Sequence, residues 1–544
     1  MPDLWLWLGT WMPHLMLVPI LLPMTTGALM LLLKEEHQRS KIMLSTLSLV
    51  LGLVVAIALL HWSSQHPTPG VYLSGNWAAP FGISLVLDRL SALMLVLTYA
   101  IALAASVFAM ARWYKVGVHF YVLFQFQLMG LAGAFLTGDL FNLFVFFEIM
   151  LAASYGLLLH GSGRLRVQAG LHYVAINLVA SSLFLIGTSM LYGLTGTLNM
   201  ADLAQQIPLV VEADRALLHS AAAILATAFL IKAAVWPVNF WLVPGYSAAT
   251  APVGALFALM TKVGVYTLLR LWTLMFSSSA GASALFGGQW LMVGGMVTML
   301  VGAIGMLAAT RLTYLAGYAA ITSSGTLLAA TGFGEPALLA GLLYYLPSST
   351  LAVAILFLLA DAIDRWRTHG TSQIDLDDEE APFLNNELLV TDHMNLDDEE
   401  QALIGRPIPA ATAFLGLAFL LCTLVVAGLP PLSGFLGKLA MLTALLPLTS
   451  AVGSPLLLPT ASTWIFFALL IGSGLLALIA LTRAGIRHFW AAHERAAPEI
   501  RLTEGLAIAA LTALVLALTI HAPSALHYTS STAADLHNPQ GYID

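Results

Sequence analysis

Glu148, Lys232, Lys262 and Lys438 lie deep inside apolar stretches of this 544-residue chain. At the centre of a membrane-crossing helix a single Lys costs roughly 2.5–3.5 kcal/mol to insert. Charges kept at that depth point to a route for protons or ions. A lysine carries protons only when desolvation brings its pKa down from about 10.4 toward physiological pH, and a nearby carboxylate holds the proton on. A lysine alternating between a carboxylate partner and a desolvated position therefore binds and releases a proton. On this reading Glu148 pairs with Lys232, while Lys262 and Lys438 continue the relay. The competing view is a set of static ion pairs that glue helices together. One glutamate cannot neutralise three lysines, and the imbalance favours hydrated, titrating groups.

Other polar residues are weaker candidates. His219, near the start of its span, and Asp139, near a span end, are possible accessory positions on a proton path. Asp139 and Asn142, in Gly138-Asp-Leu-Phe-Asn142, are better read as the cap of the helix that carries Glu148. His160 and His172 flank a basic connection, where a solvated role is expected. No His, Cys or acidic cluster has metal-ligand spacing, and no Walker, Rossmann or zinc-protease pattern occurs in a suitable context. The lone Cys422 forms no internal disulfide. No cofactor, catalytic site or nucleic-acid partner is expected.

The elements that must position these groups are membrane helices. The chain is 59% hydrophobic and 9% charged, against about 25% charged in soluble proteins. Continuous apolar runs exclude a β-barrel and predict an all-α polytopic membrane protein. We count 14 spans, near 13–33, 42–62, 85–110, 118–136, 138–160, 170–193, 217–240, 248–271, 290–309, 314–333, 337–362, 408–446, 463–483 and 503–522. The N-terminus lacks the basic leader of a cleaved signal peptide, so the first span is expected to be retained. The seventh is interrupted at Pro237 and the twelfth at Pro430 and Pro431, since proline offers no N–H to the helix ladder. Breaks at membrane depth usually line a cavity. They lie five spans apart, as in transporters built from inverted repeats, although two ordinary proline kinks would look the same. The expected organisation is an N-terminal unit (1–117), five-helix repeats at 118–272 and 290–483, and a last helix with its tail (484–544). Lys232 precedes its break whereas Lys438 follows its own.

Charge sets the orientation. With the N-terminus outside, fifteen basic residues fall in one set of connections, while only Arg89, Arg215 and Arg270 fall in the other. Both termini are therefore expected outside, with the loop 363–406 in the cytoplasm. That loop holds most of the acidity: 11 of the chain's 28 acids lie in Ile374–Gln401, and the remainder balances at +4. The run is expected to be a solvated spacer.

Several stretches resemble the proton-antiporter-like membrane subunits shared by respiratory complex I and the multisubunit Mrp cation/proton antiporters. They are Thr137-Gly-Asp-Leu-Phe-Asn-Leu-Phe-Val-Phe-Phe-Glu148, Lys232-Ala-Ala-Val-Trp-Pro-Val-Asn-Phe-Trp-Leu, Ala251-Pro-Val-Gly-Ala-Leu-Phe-Ala-Leu-Met-Thr-Lys262 and Gly428-Leu-Pro-Pro-Leu-Ser-Gly-Phe-Leu-Gly-Lys438. The details look most like the D-type Mrp subunit; the acidic insertion departs from the usual pattern. The resemblance implies Glu148 and Lys232 as a coupling pair, Lys262 as central relay and Lys438 as terminal site. It also implies work within an assembly of A-, B-, C-, E-, F- and G-type subunits in the bacterial inner membrane, exchanging protons for Na⁺ or K⁺. The alternatives are a pumping subunit of a redox complex (complex I or a membrane-bound hydrogenase) and, fitting poorly, an intramembrane enzyme.

Overall fold

The computed structural model describes residues 12–34, 36–77, 80–112, 119–161, 163–371, 409–446, 460–490 and 498–543. The acidic segment Ile374–Gln401 lies outside the described residues, so its role as a spacer stays an expectation.

Helices α1 (Val18–Leu32) and α2 (Gln38–Gln65) are followed by a short hairpin, β1 (Gly70–Leu73) and β2 (Ser84–Leu87). Its strands pair antiparallel with Gly70 opposite Leu87. Next come α3 (Arg89–Arg112), α4 (Phe120–Leu136), α5 (Leu140–Leu158), α6 (Arg164–Thr195) and the short α7 (Met200–Gln206). The first break separates α8 (Glu212–Lys232) from α9 (Leu242–Ala248). Then follow α10 (Ala251–Met275), α11 (Gly288–Ala308), α12 (Leu312–Phe333) and α13 (Pro336–Thr371). The second break separates α14 (Ala410–Ala427) from α15 (Ser433–Ala444). The described chain ends with α16 (Ala461–Gly485), α17 (Leu502–Ile520), α18 (Ala522–Leu536) and α19 (Gln540–Ile543).

Each of the expected spans coincides with a helix or a broken pair, and among the described residues eleven helices are long and apolar enough to cross a membrane. Three of the boundary differences bear on the interior. Residues 84–87 form a strand rather than the start of the third span, because Ser84 and Leu85 are drawn into contacts with the Thr137–Gly138 turn. The seventh span stops at Lys232 instead of running to 240. The eighth continues to Met275, which places Arg270 inside the protein instead of in a connection. Arg270 is 3% exposed and pairs with Asp88 at 2.7 Å.

The core is formed by α10 and α13, whose apolar windows are entirely buried. Most other long helices keep exposed Leu, Ile and Val side chains, the pattern of a surface solvated by lipid. On the arginine-rich side, Glu504 at the start of α17 is 1% exposed and accepts from Arg112 (3.3 Å) and Arg365 (2.8 Å), tying α3, α13 and α17 together.

Close backbone contact holds the second break in place. A Cβ added to Gly434 would stand 2.0 Å from the carbonyl oxygen of Val425. Gly434→Ala must push α14 and α15 apart, at an expected cost of about 1–3 kcal/mol for overpacking. A lower melting temperature of the solubilised chain is the expected result; an unchanged one would show that the contact yields freely.

Candidate functional site

Lys232 is the last residue of α8 because two local features stop the helix there. Pro237 has no N–H, and the residue before a proline is disfavoured in helical conformation. Ala234 takes a left-handed backbone (φ 54°), a conformation that glycine usually supplies at helix ends. The freed amide of Trp236 donates to Thr298 Oγ1 on α11 at 3.0 Å. Lys232 itself is 5% exposed. Its Nζ donates to Asn177 Oδ1 on α6 at 3.0 Å and stands 5.9 Å from the centre of the Phe147 ring.

Glu148, the residue after Phe147, is half-buried and accepts a hydrogen bond from Ser181 Oγ. Asn177 and Ser181 are one turn apart on α6 and lie on one face of that helix. Among the described residues, Glu148 and Lys232 make no ion pair within 4 Å. The expected pair is thus bridged: α6 places a hydroxyl against the carboxylate and an amide against the ammonium. The carboxylate is also less enclosed than a mid-helix position implies.

Lys262 stands midway along α10 and is 1% exposed. Its Nζ is 3.3 Å from Ser324 Oγ on α12. The helix can run this close to the first break because residue 264 is glycine. A Cβ there would lie 2.8 Å from the amide nitrogen of Ala233.

Lys438 is 8% exposed and reaches back across the second break. Its Nζ donates to the carbonyls of Ala427 (3.0 Å) and Val426 (3.3 Å), the last turn of α14. These carbonyls have no acceptor role within the helix, and a cation is favoured at that end. Gly428, in left-handed conformation (φ 76°), and Gly474 leave room for the side chain. The position of each lysine relative to its break now has a physical counterpart. Lys232 finds its acceptor on a neighbouring helix, whereas Lys438 caps the helix that precedes it.

Hydroxyl pairs occupy the ground between Lys262 and Lys438. Ser323 donates to Ser349 at 2.8 Å, and Ser348 and Ser433 lie 2.7 Å apart. Sequence reasoning missed these serines together with Asn177 and Ser181. The available signal was their type: adjacent hydroxyl residues, Ser323-Ser324 and Ser348-Ser349, inside otherwise apolar helices.

The accessory candidates stand apart. Asp139 caps α5, accepting from the amide of Asn142 at 2.8 Å, as the capping reading expects. His219 stacks on Phe286 and is 3.1 Å from Ser283 Oγ. Thirteen residues of helix, roughly 20 Å, separate it from Lys232. His172 is exposed, whereas His160 is buried beside Phe120 instead of solvated.

Fold and interior together define a class: polytopic helical membrane proteins whose broken helices and buried lysines occupy the interior. The family profile described as "NADH:quinone oxidoreductase/Mrp antiporter, TM" matches residues 137–377, which carry Glu148, Lys232 and Lys262. The chain is 47% identical over 533 residues to a Rhizobium meliloti (strain 1021) protein named as the D-type subunit of a probable K(+)/H(+) antiporter, covering 97% of this chain and 96% of that one. It is 31% identical over 539 residues to the D-type subunit of the Na(+)/H(+) antiporter of Alkalihalophilus pseudofirmus, covering 98% and 99%. A chain in the structure of the Mrp complex from Dietzia sp. DQ12-45-1b superposes with a TM-score of 0.79 at 25% identity, covering 98% of each chain. This chain belongs to the family of D-type antiporter subunits.

Proposed function

We propose that this protein is the proton-translocating subunit of a multisubunit monovalent cation/proton antiporter. It moves protons through Glu148, Lys232, Lys262 and Lys438 and works with A-, B-, C-, E-, F- and G-type partners in the bacterial inner membrane. The observation that carries the reading is that three buried lysines each donate to a neutral acceptor: Asn177, Ser324 and the α14 carbonyls. Among the described residues none is locked to a carboxylate within 4 Å, so none is a static ion pair there. A lysine held by neutral groups keeps a partner in both protonation states, because –NH₂ still donates and gains a lone pair.

Fourteen crossings follow from this reading, with both termini outside and five-helix repeats at 118–272 and 290–483. The basic residues of the connections support the orientation, and the two broken helices support the repeats. The relatives that match over nearly the whole chain support K⁺ or Na⁺ exchange over a redox-driven pump.

The test is reconstitution. The intact assembly is expected to take up Na⁺ or K⁺ into proteoliposomes when a pH gradient is imposed, with no exchange by this chain alone. Robust exchange by the single chain would refute the need for partners. Co-purification of iron–sulfur subunits in place of small membrane subunits would move the protein to the redox class.

A further inference from the structure

Asp88 and Arg270 form a buried ion pair at the end of the protein opposite the arginine-rich connections. Arg270 is 3% exposed and Asp88 8%. The carboxylate Oδ1 accepts from the Arg270 guanidinium at 2.7 Å, from the Ser91 amide at 2.8 Å and from the Ser91 hydroxyl. The guanidinium is stacked between two rings, 5.1 Å from Tyr266 and 5.2 Å from Tyr542. Among the described residues, no group accepts from its Nε. One donor of a fixed, buried charge is therefore unspent.

Three features make this more than a strut. Lys262, Tyr266 and Arg270 are spaced i, i+4 and i+8 along α10, which places them on one face and spans about 12 Å from mid-membrane toward this end. Tyr266 lies against both Ser91 and Arg270, and its hydroxyl donates to the Phe135 carbonyl at 2.7 Å. Beyond the pair lies a cavity of about 60 Å³ bordered by Asp88, Arg89, His66, Asp535 and Tyr542. Its polar walls and size suit a few water molecules.

We infer that Asp88, supported by Arg270 and Tyr266, is the outer proton port of the pathway, linking external water to Lys262. The inference rests on the proposed relay and orientation. The transfer balances. A hydronium ion in the cavity gives a proton to the Asp88 carboxylate and is left as water. The resulting carboxylic acid gives its proton to the Ser91 hydroxyl, which releases its own hydrogen to the Tyr266 oxygen; the Tyr266 hydroxyl then turns from the Phe135 carbonyl and passes its hydrogen along α10 toward the free amine of Lys262. Asp88 is left as carboxylate and re-pairs with Arg270, whose charge never changes. A permanent cation at this point also repels Na⁺ and K⁺, keeping the port selective for protons.

The charged and titratable groups around Asp88 come from every element packed there. Arg270 and Tyr266 stand on α10, Arg89 on α3 and His66 just after α2. Tyr528 on α18 donates to the Arg89 carbonyl. Asp535, also on α18, pairs with Arg89 at 2.7 Å, and Tyr542 closes the far wall. Burial pushes the Asp535 carboxyl above its ordinary range, against the pull of Arg89. A second proton acceptor thus borders the same cavity.

The test uses everted vesicles carrying the whole assembly, with pH-gradient-driven cation exchange measured across a range of lumenal pH, the side that the port faces. Asp88→Asn is expected to lower exchange by about a hundredfold, the scale of losing a positioned proton-transfer group. Glu212→Gln, at the exposed acid of a distant pair, serves as the control and should leave exchange unchanged. Asp88→Asn leaves Arg270 unpaired and can impair folding, so the double variant Asp88→Asn/Arg270→Gln restores a neutral pair of similar size. If the pair is a strut, the double variant recovers both assembly and exchange, which overturns the proposal. If Asp88 is the port, assembly recovers and exchange stays lost. Lys262→Ala tells failure of the port from failure of the relay. Its loss of exchange beside a normal Asp88→Asn pH profile would reject the port alone, and normal exchange in Lys262→Ala would reject the relay.

Discussion

Lys232→Arg is expected to stop cation/proton exchange as completely as Lys232→Ala, with the assembly intact in both. Arginine keeps the positive charge and can reach Asn177, so a lysine that only glues α8 to α6 would be replaced without much loss. A guanidinium, however, does not give up its proton in a protein. A residue whose task is to release a proton fails under this change, by the hundredfold or more typical of a proton-transfer group. The measurement is the initial rate of pH-gradient collapse on adding Na⁺ or K⁺ to everted vesicles. Near-normal exchange by Lys232→Arg would leave the side chain a structural role only.

Lys262→Met should move activity and stability in opposite directions. Lys262 is 1% exposed, and among the described residues a single hydroxyl, Ser324 at 3.3 Å, is the hydrogen-bond partner of its ammonium. Holding a charge there costs free energy that methionine, of similar length and no charge, does not incur. Translocon scales set that cost at roughly 2.5–3.5 kcal/mol. The variant is therefore expected to melt no lower than the parent while its exchange falls to background. Sustained exchange, or a sharp drop in melting temperature, would show that the ammonium is a packing element.

The four ionisable residues and both breaks were readable because each violates a strong local rule: charge in hydrocarbon, or proline in a helix. What the sequence concealed depends on three-dimensional neighbours. Arg270 looked like a loop cation because the apolar run ends near it; Asp88, its partner, is 182 residues away in sequence. Glu504 carries no sequence signal of a role, yet it is buried between two arginines supplied by α3 and α13. Asn177 and Ser181 lie on a helix whose pattern is otherwise apolar, and only packing shows that they bridge Lys232 and Glu148. The second strand of the hairpin falls at the start of a predicted span because its residues Leu85–Leu87 are apolar. Direct pairing of Glu148 with Lys232 was inferred from charge alone, and charge carries no information about which helix stands between two residues.

The contact between Lys438 and the end of α14 ties chemistry to mechanics. Charged, the side chain is a strong clasp on the Ala427 and Val426 carbonyls. Neutral, it still offers two N–H groups but loses the ionic part of that grip, so the hold on both carbonyl dipoles weakens. Discharge of this lysine thus loosens the joint between two half-helices, and recharging draws it shut. A single hydrogen ion leaving here changes the stiffness of the scaffold as well as its charge.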